Sequence, residues 1–456
     1  MSSESRENWG SKIGFILAAA GSAIGLGNIW KFPYVVGENG GAAFILIYLA
    51  STLIIGLPVI IAEILIGRTT QLNPVGAFKK LSNSKFWAAI GGMGVLAGFI
   101  ILSFYSVVAG WSTGYIIEAI RGSFIDFTSA NFAGEHFNAL VQNVYWIVGF
   151  HFLFMILSMI IVYRGIQGGI EKSCKIMMPL LFGLLIILLI RGVTLPGAEK
   201  GLAFLFEPDW SKVTASTVLE AMGQAFFTLS LGMGAMLTYG SYMSKKDSIP
   251  ISGLEIIFLD TLIAIVAGVA IFTTVFATGQ NPGQGPGLIF HTLPVVFTKM
   301  PGGYIFSILF FILLTIAAIT SAVSLLEVIT AYFVDEKKWS RKKAVLVFGT
   351  VAFLFGIPSA LSFNLLKDVK IFDLNFFDLF NYLSSNIMLP LGGLLIAIFV
   401  GWKWGIAGAV LNLKKGSEKL LDKNPFVVTI WKFLIRYVAP IIIAIVFLNS
   451  VGILSF

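Results

Sequence analysis

Long apolar runs separated by short polar or basic stretches recur from residue 12 to the end of the chain. An α-helix needs about 20 mostly apolar residues to cross a bilayer. By that measure the pattern predicts eleven crossings, at roughly 12–36, 42–67, 87–120, 143–163, 168–193, 216–243, 251–280, 302–335, 343–361, 374–401 and 425–455. The fold class that follows is an all-α integral membrane protein, one transmembrane domain over residues 1–456. The polar start "MSSESRENWGSK" precedes an apolar segment that is too long for a signal peptide and lacks a cleavage pattern.

Two of the runs are interrupted near their middle. The first carries "GSAIGLGN", whose Gly21 to Gly27 stretch lies about 14 to 23 Å along its helix and so near the bilayer midplane. The sixth carries "FFTLSLGMGAM", Phe226 to Met236, at a similar depth. The two lie five spans apart and cross in opposite senses. Paired glycine-interrupted segments at matching places in two halves point to a transporter with an inverted repeat and a midplane site. Repeat one is expected over about 12–193 and repeat two over about 216–401, each of five helices with helices 1 and 6 discontinuous, and an additional helix lies at about 425–455. Lipid satisfies no backbone groups, so unwound chain at this depth must line a cavity or hold a ligand. Freed carbonyls suit a small cation, and half-helix N-termini suit a carboxylate. The plainer alternative, glycines used only for close helix packing, does not account for Asn28, Thr228 and Ser230 beside them.

Composition sharpens this reading. Charged residues make up 12% of the 456, about half the share of a soluble domain, and 57% are hydrophobic. The net charge of +8 falls on alternate loops: Arg68, Lys79, Lys80 and Lys85; Arg164, Lys172 and Lys175; Lys245 and Lys246; Lys337 to Lys343; Lys403 to Lys423. That is a topology signal and not a nucleic-acid surface. It predicts a multi-pass protein of the cell's inner (plasma) membrane, N-terminus cytoplasmic and C-terminus outside. The single Cys174 excludes an internal disulfide, and His136, His151 and His291 lack metal-ligand spacing.

Other polar groups fall at midplane depth: Tyr105 in the third span, Asp260 in the seventh, Thr320 and Ser321 in the eighth. An intramembrane carboxylate costs at least about 2.5 kcal/mol on insertion scales, which makes Asp260 the sharpest single residue in the chain. Carbonyls, an amide oxygen, hydroxyls and one carboxylate are hard donors, suited to an alkali cation such as sodium.

The stretches "GSAIGLGNIWKFPY", "ENGGAAF", "FYSVVAGW", "GQAFFTLSLGMG", "TYGSY", "ITSAVSLLE" and "SRKKAV" resemble, in order, those of the neurotransmitter:sodium symporter family. The likeness is to its bacterial eleven-helix amino-acid transporters of the leucine and multi-hydrophobic types. It implies two sodium sites, the first from Ala23, Asn28, Thr228 and Asp260 with the substrate carboxylate. The second would use Gly21, Ile24, Ala317, Thr320 and Ser321. The substrate, a neutral amino acid, would lie against Ala23, Gly25, Leu26 and Gly27, its carboxylate held by Tyr105 and its pocket lidded by Phe227. Ser22, Ile101, Thr228, Ser230, Met233, Ser321 and Leu325 would shape the rest of the site. Arg6 and Asp335, with Trp9 and Tyr242, would form an inner gate. Gly169 and Pro179 resemble the motif that lets the fifth helix unwind.

Three departures from the family pattern matter. Asp260 and Ala264 stand where chloride-dependent members carry asparagine and serine, so the fixed carboxylate implies chloride independence. Lys31 and Asn381 replace the usual outer arginine and aspartate, and Asp378 one turn earlier is a possible substitute. Met233 and Ser22 imply a pocket for hydrophobic or aromatic side chains. The function implied is sodium-coupled import of such L-amino acids by alternating access. A proton-coupled transporter and a non-transporting amino-acid receptor on the same scaffold stay open as alternatives. No nucleophile, base and orienting group converge, so the resemblance and the residues both exclude an enzyme.

Overall fold

The structure, a computed structural model, describes residues 7–283 and 287–454. Nine helices among them are long and apolar enough to cross a membrane: Ala42–Thr70, Lys85–Arg121, Val144–Tyr163, Ile166–Val193, Ile249–Ala277, Gly303–Lys337, Arg341–Leu361, Phe376–Lys403 and Pro425–Ser450. Lys12–Ala23 and Gly27–Glu38 form a tenth span that bends by 49° at its break. Ala215–Thr228 and Ala235–Ser241 form another, interrupted over residues 229–234. In chain order these are spans 1 to 11, and the two broken ones are spans 1 and 6. The run at 216–243, expected to be discontinuous, is two short helices, because Ser230, Gly232 and Gly234 inside it adopt conformations no helix continues.

Local chemistry accounts for both breaks. Span 1 starts at Ser11, whose hydroxyl accepts the Gly14 amide at 3.0 Å as an N-cap. It stops where Ile24 turns extended (ψ 93°). It resumes in a π-helical turn, Gly27–Lys31, and continues as an α-helix over Phe32–Glu38. At Gly25 a Cβ would overlap the Ser321 hydroxyl and stand 3.0 Å from the Tyr105 hydroxyl, so only glycine fits. In span 6 the chain passes through positive φ at Ser230 (54°), Gly232 (84°) and Gly234 (77°). For a serine that conformation costs on the order of 1–2 kcal/mol, and such strain is concentrated at functional positions.

Burial separates the centre from the rim. The most apolar stretches of spans 3 and 8 are each 72% buried, whereas those of spans 4 and 11 are 28% buried. Spans 3 and 8 pack along one another and flank both breaks. Spans 4 and 11 present isoleucine, leucine and phenylalanine outward, among them Phe152, Ile160, Ile441 and Ile445, as lipid contact requires.

Candidate functional site

The buried polar groups converge at the two breaks. Asp260, fully buried in span 7, accepts from the Asn28 side-chain amide at Oδ1 (2.8 Å) and at its own carbonyl (3.0 Å). The Thr228 hydroxyl lies 3.2 Å from Asp260 Oδ1 and 3.0 Å from Asn28 Oδ1. A hydroxyl has one proton, so it can donate to only one of these oxygens. Three oxygens of three spans thus crowd one point, which is the arrangement a small hard cation satisfies.

A second set of oxygens lies between span 1 and span 8. Thr320 Oγ1 approaches the carbonyls of Ile24 (3.3 Å) and Ala317 (2.9 Å). Ser321 Oγ approaches those of Gly21 (3.5 Å) and Ser22 (3.1 Å). The Ser22 carbonyl also accepts from the left-handed Ser230 at 2.9 Å, so the two breaks are tied directly. Between the oxygen sets the Leu26 amide donates to the Tyr105 hydroxyl at 3.3 Å, leaving the phenol proton free to serve another acceptor. Phe227 lies over Gly27, its ring edge 3.6 Å from where a Cβ would stand. On span 3, Gly94 faces Met233 and Gly98 faces Leu325. Ile101 and Tyr105 continue the same helical face. Ile101 and Tyr105 therefore share one face of span 3 with the glycines that meet Met233 and Leu325.

Towards the end that carries Trp9, the indole donates to the Tyr239 carbonyl at 2.9 Å and the Trp9 amide to the Tyr242 carbonyl at 3.1 Å. Asp335 accepts from the Asn73 amide at 2.9 Å. Arg6, expected to pair with Asp335, lies outside the described residues. At the other end Lys31 does not reach Asn381. Its ammonium stands 4.1 Å over the Phe227 ring, while Asn381 accepts from Ser385 and Asp378 from Asn375. Lys31 and the span 10 residues Ser385 and Asn386 line one cavity with Glu220, and the contact that the Lys31 ammonium makes is with the aromatic face.

Several groups escaped sequence reasoning. Tyr48 donates to Asp260 Oδ2 at 3.3 Å, and Gln224 donates to the Gly27 carbonyl at 3.0 Å. Ser324 bonds Ser22 at 2.7 Å. Buried Glu63 accepts from the Gly232 amide at 2.7 Å inside the break of span 6. Buried Glu327 accepts from Tyr242 (2.7 Å) and Arg341 (2.6 and 3.0 Å). The rule that singled out Asp260 would have found both glutamates, since each is a carboxylate inside an apolar run. Tyr48 and Gln224 carried no comparable signal. His151 bonds Ser106 inside the helix packing at 2.9 Å, and Cys174 is buried.

Two interrupted helices, crossing in opposite senses around buried hard oxygens, define a membrane transporter of the discontinuous-helix class. The chain belongs to the sodium:neurotransmitter symporter family, whose model matches residues 6–133 and 141–455. Its relatives include the sodium-dependent transporter YhdH of Bacillus subtilis, 43% identical over 458 residues and covering the whole of both chains. Another is a sodium-dependent transporter of Haemophilus influenzae, 38% identical over 456 residues and 98% of each chain. Among solved structures, MhsT in complex with L-phenylalanine is 49% identical with a TM-score of 0.88, covering 98% of this chain and 100% of that one. Family membership makes the chain a sodium-dependent transporter and not an enzyme.

Proposed function

We propose that this protein couples inward sodium movement to the import of neutral hydrophobic or aromatic L-amino acids, by alternating access and without chloride. The observation that carries the reading is the meeting of Asp260, Asn28 and Thr228 at the break of span 1, 2.8 to 3.2 Å apart.

On this reading one sodium ion is held by Ala23, Asn28, Thr228, Asp260 and the substrate carboxylate. A second is held by Gly21, Ile24, Ala317, Thr320 and Ser321. The amino acid places its carboxylate against the Gly25 to Gly27 backbone and Tyr105. Its side chain lies among Ser22, Ile101, Phe227, Ser230, Met233, Ser321 and Leu325. Sodium and substrate share ligands, so each raises the other's affinity by the same factor. Each charge carried through 100 mV contributes about 2.3 kcal/mol to accumulation.

Asp260 supplies a fixed negative charge where two cations enter with a zwitterion, which removes the need to recruit an anion. Ala264, one turn further along span 7 and buried against apolar neighbours, offers an anion no donor. Phe227 with Lys31 above it closes the outward side, and Trp9, Tyr242 and Asp335 close the inward one. On this reading the N-terminus is cytoplasmic and the C-terminus outside, which the basic loops support. MhsT, the relative crystallised with L-phenylalanine, supports the aromatic assignment. Met233 adds a flexible thioether to the pocket.

A competition panel on the purified protein tests the substrate class. Tryptophan, tyrosine, phenylalanine, leucine and methionine are expected to displace one another only with sodium present. Displacement by glycine or alanine alone would contradict the assignment.

A further inference from the structure

Spans 10 and 11 approach closely at one point on the side that carries Trp9. A Cβ on Gly401 of span 10 would stand 3.3 Å from the Cα of Arg436 on span 11. Each span passes this point in a π-helical turn, Phe399–Lys403 in span 10 and Leu434–Val438 in span 11. Such turns interrupt the regular helical ladder and are frequent at functional positions. The side is marked by Arg68 at the end of span 2. Its guanidinium donates to the carbonyls of Asn412 (2.5 Å) and Lys415 (2.9 Å), in the connection between spans 10 and 11.

Arg436 lies about 16 Å along span 11 from Pro425, which alone would bury it in the apolar layer. Its contact with Gly401 sets the depth differently: it is level with the last turn of span 10, which ends at Lys403. That is the depth of lipid headgroups.

Among the described residues no hydrogen bond or ion pair engages the Arg436 guanidinium, and Nε is buried without a partner. The group lies against two aromatic faces instead, 5.8 Å from the centre of Trp402 and 5.5 Å from that of Tyr437. The two rings meet edge to face at 6.1 Å, and both are exposed, as tryptophan and tyrosine of an interfacial belt are. Lys403 follows Trp402, and Lys432 precedes Arg436 by one helical turn; both are exposed. Residues 399–438 hold seven lysines and arginines against two acidic residues, Glu418 and Asp422, and Asp422 pairs with Lys414. No carboxylate of the described residues therefore neutralises the three cations at the crossing.

An arginine that merely snorkels carries its donors into water. Here one donor is sealed from water, and the positive charge is left to whatever covers the crossing. A guanidinium fork matches two oxygens of a phosphate, and basic sites between spans at this depth suit phospholipid headgroups. We propose that the crossing of spans 10 and 11 binds the phosphate of an anionic phospholipid. Arg436 is the fork, Lys403 and Lys432 are flanking charges, and Trp402 and Tyr437 lie beside the glycerol and the start of the acyl chains. The proposal does not depend on the substrate or the ion assigned above.

Native mass spectrometry of the full-length protein, in detergent with equal amounts of phosphatidylglycerol and phosphatidylcholine, reads the lipid retained. The wild type is expected to hold phosphatidylglycerol in about tenfold excess, and Arg436→Gln to lower that ratio about fivefold. Lys403→Gln combined with Lys432→Gln, at two exposed positions, is expected to lower it about threefold or more without changing the unfolding temperature. Lys79→Gln, exposed on the helix Pro74–Ser82 between spans 2 and 3, is expected to leave the ratio alone. A wild type without preference overturns the site, as does an undiminished ratio in either crossing variant or an equal loss in Lys79→Gln. Should Arg436→Gln fail to fold, the double lysine variant decides by itself.

Discussion

The phenol of Tyr48 donates to Oδ2 of Asp260 at 3.3 Å, on the opposite side of the carboxylate from Asn28 and Thr228. Tyr48 is fully buried, with its ring packed on Phe32 at 4.9 Å. It therefore fixes one oxygen of Asp260 and leaves the other to face the break in span 1. Tyr48→Phe keeps the ring and removes only that bond, worth about 1 kcal/mol. The expected result is about a fivefold rise in the sodium concentration for half-maximal substrate binding, with thermal stability changed little. An unchanged sodium dependence would remove Tyr48 from the account.

Lys31 stands over Phe227, whereas a contact with Asn381 of span 10 was expected. A cation over an aromatic face contributes about 0.5–2 kcal/mol, depending on desolvation. Lys31→Met keeps the length of the side chain and removes the charge. Bound amino acid should then dissociate about three- to tenfold faster towards the Lys31 side. Asn381→Ala, at a residue that bonds Ser385 instead, should leave that rate alone. The reverse ranking of the two variants would restore the expected pair.

Glu327 is fully buried and doubly bonded by Arg341, with Tyr242 as a second partner. Removing one member of a buried pair strands the other charge and costs about 3–5 kcal/mol, whereas removing both costs far less. Arg341→Gln should lower the unfolding temperature in detergent sharply, and Arg341→Gln with Glu327→Gln should recover most of the loss. A double variant no more stable than the single one would mean that the charge pairing is not what holds this corner.

The long apolar runs made all eleven spans legible in the sequence, because hydropathy and helix length are summed properties that single residues hardly perturb. The breaks at Gly21 to Asn28 and Phe226 to Met236 were legible as well, since glycines with polar neighbours at midplane have few other uses. Pairing across spans was not. Nothing near Tyr48 marks it as the partner of a residue 212 positions away. Lys31 stands over Phe227 of span 6, a contact that only packing decides. The approach of Arg436 to Gly401 hides for the same reason: the glycine reads as one of many until span 11 is seen to cross it.

The most direct test of the account is the initial rate of radiolabelled L-phenylalanine uptake into proteoliposomes in chloride-free medium, with an inward sodium gradient or with sodium replaced by N-methylglucamine. Wild-type protein should take up the amino acid only with sodium and gain nothing from added chloride. Asp260→Asn, which removes the fixed charge among Asn28, Thr228 and Tyr48, should need at least tenfold more sodium or acquire a chloride requirement. Uptake that persists without sodium, or a wild-type rate that depends on chloride, would contradict the account.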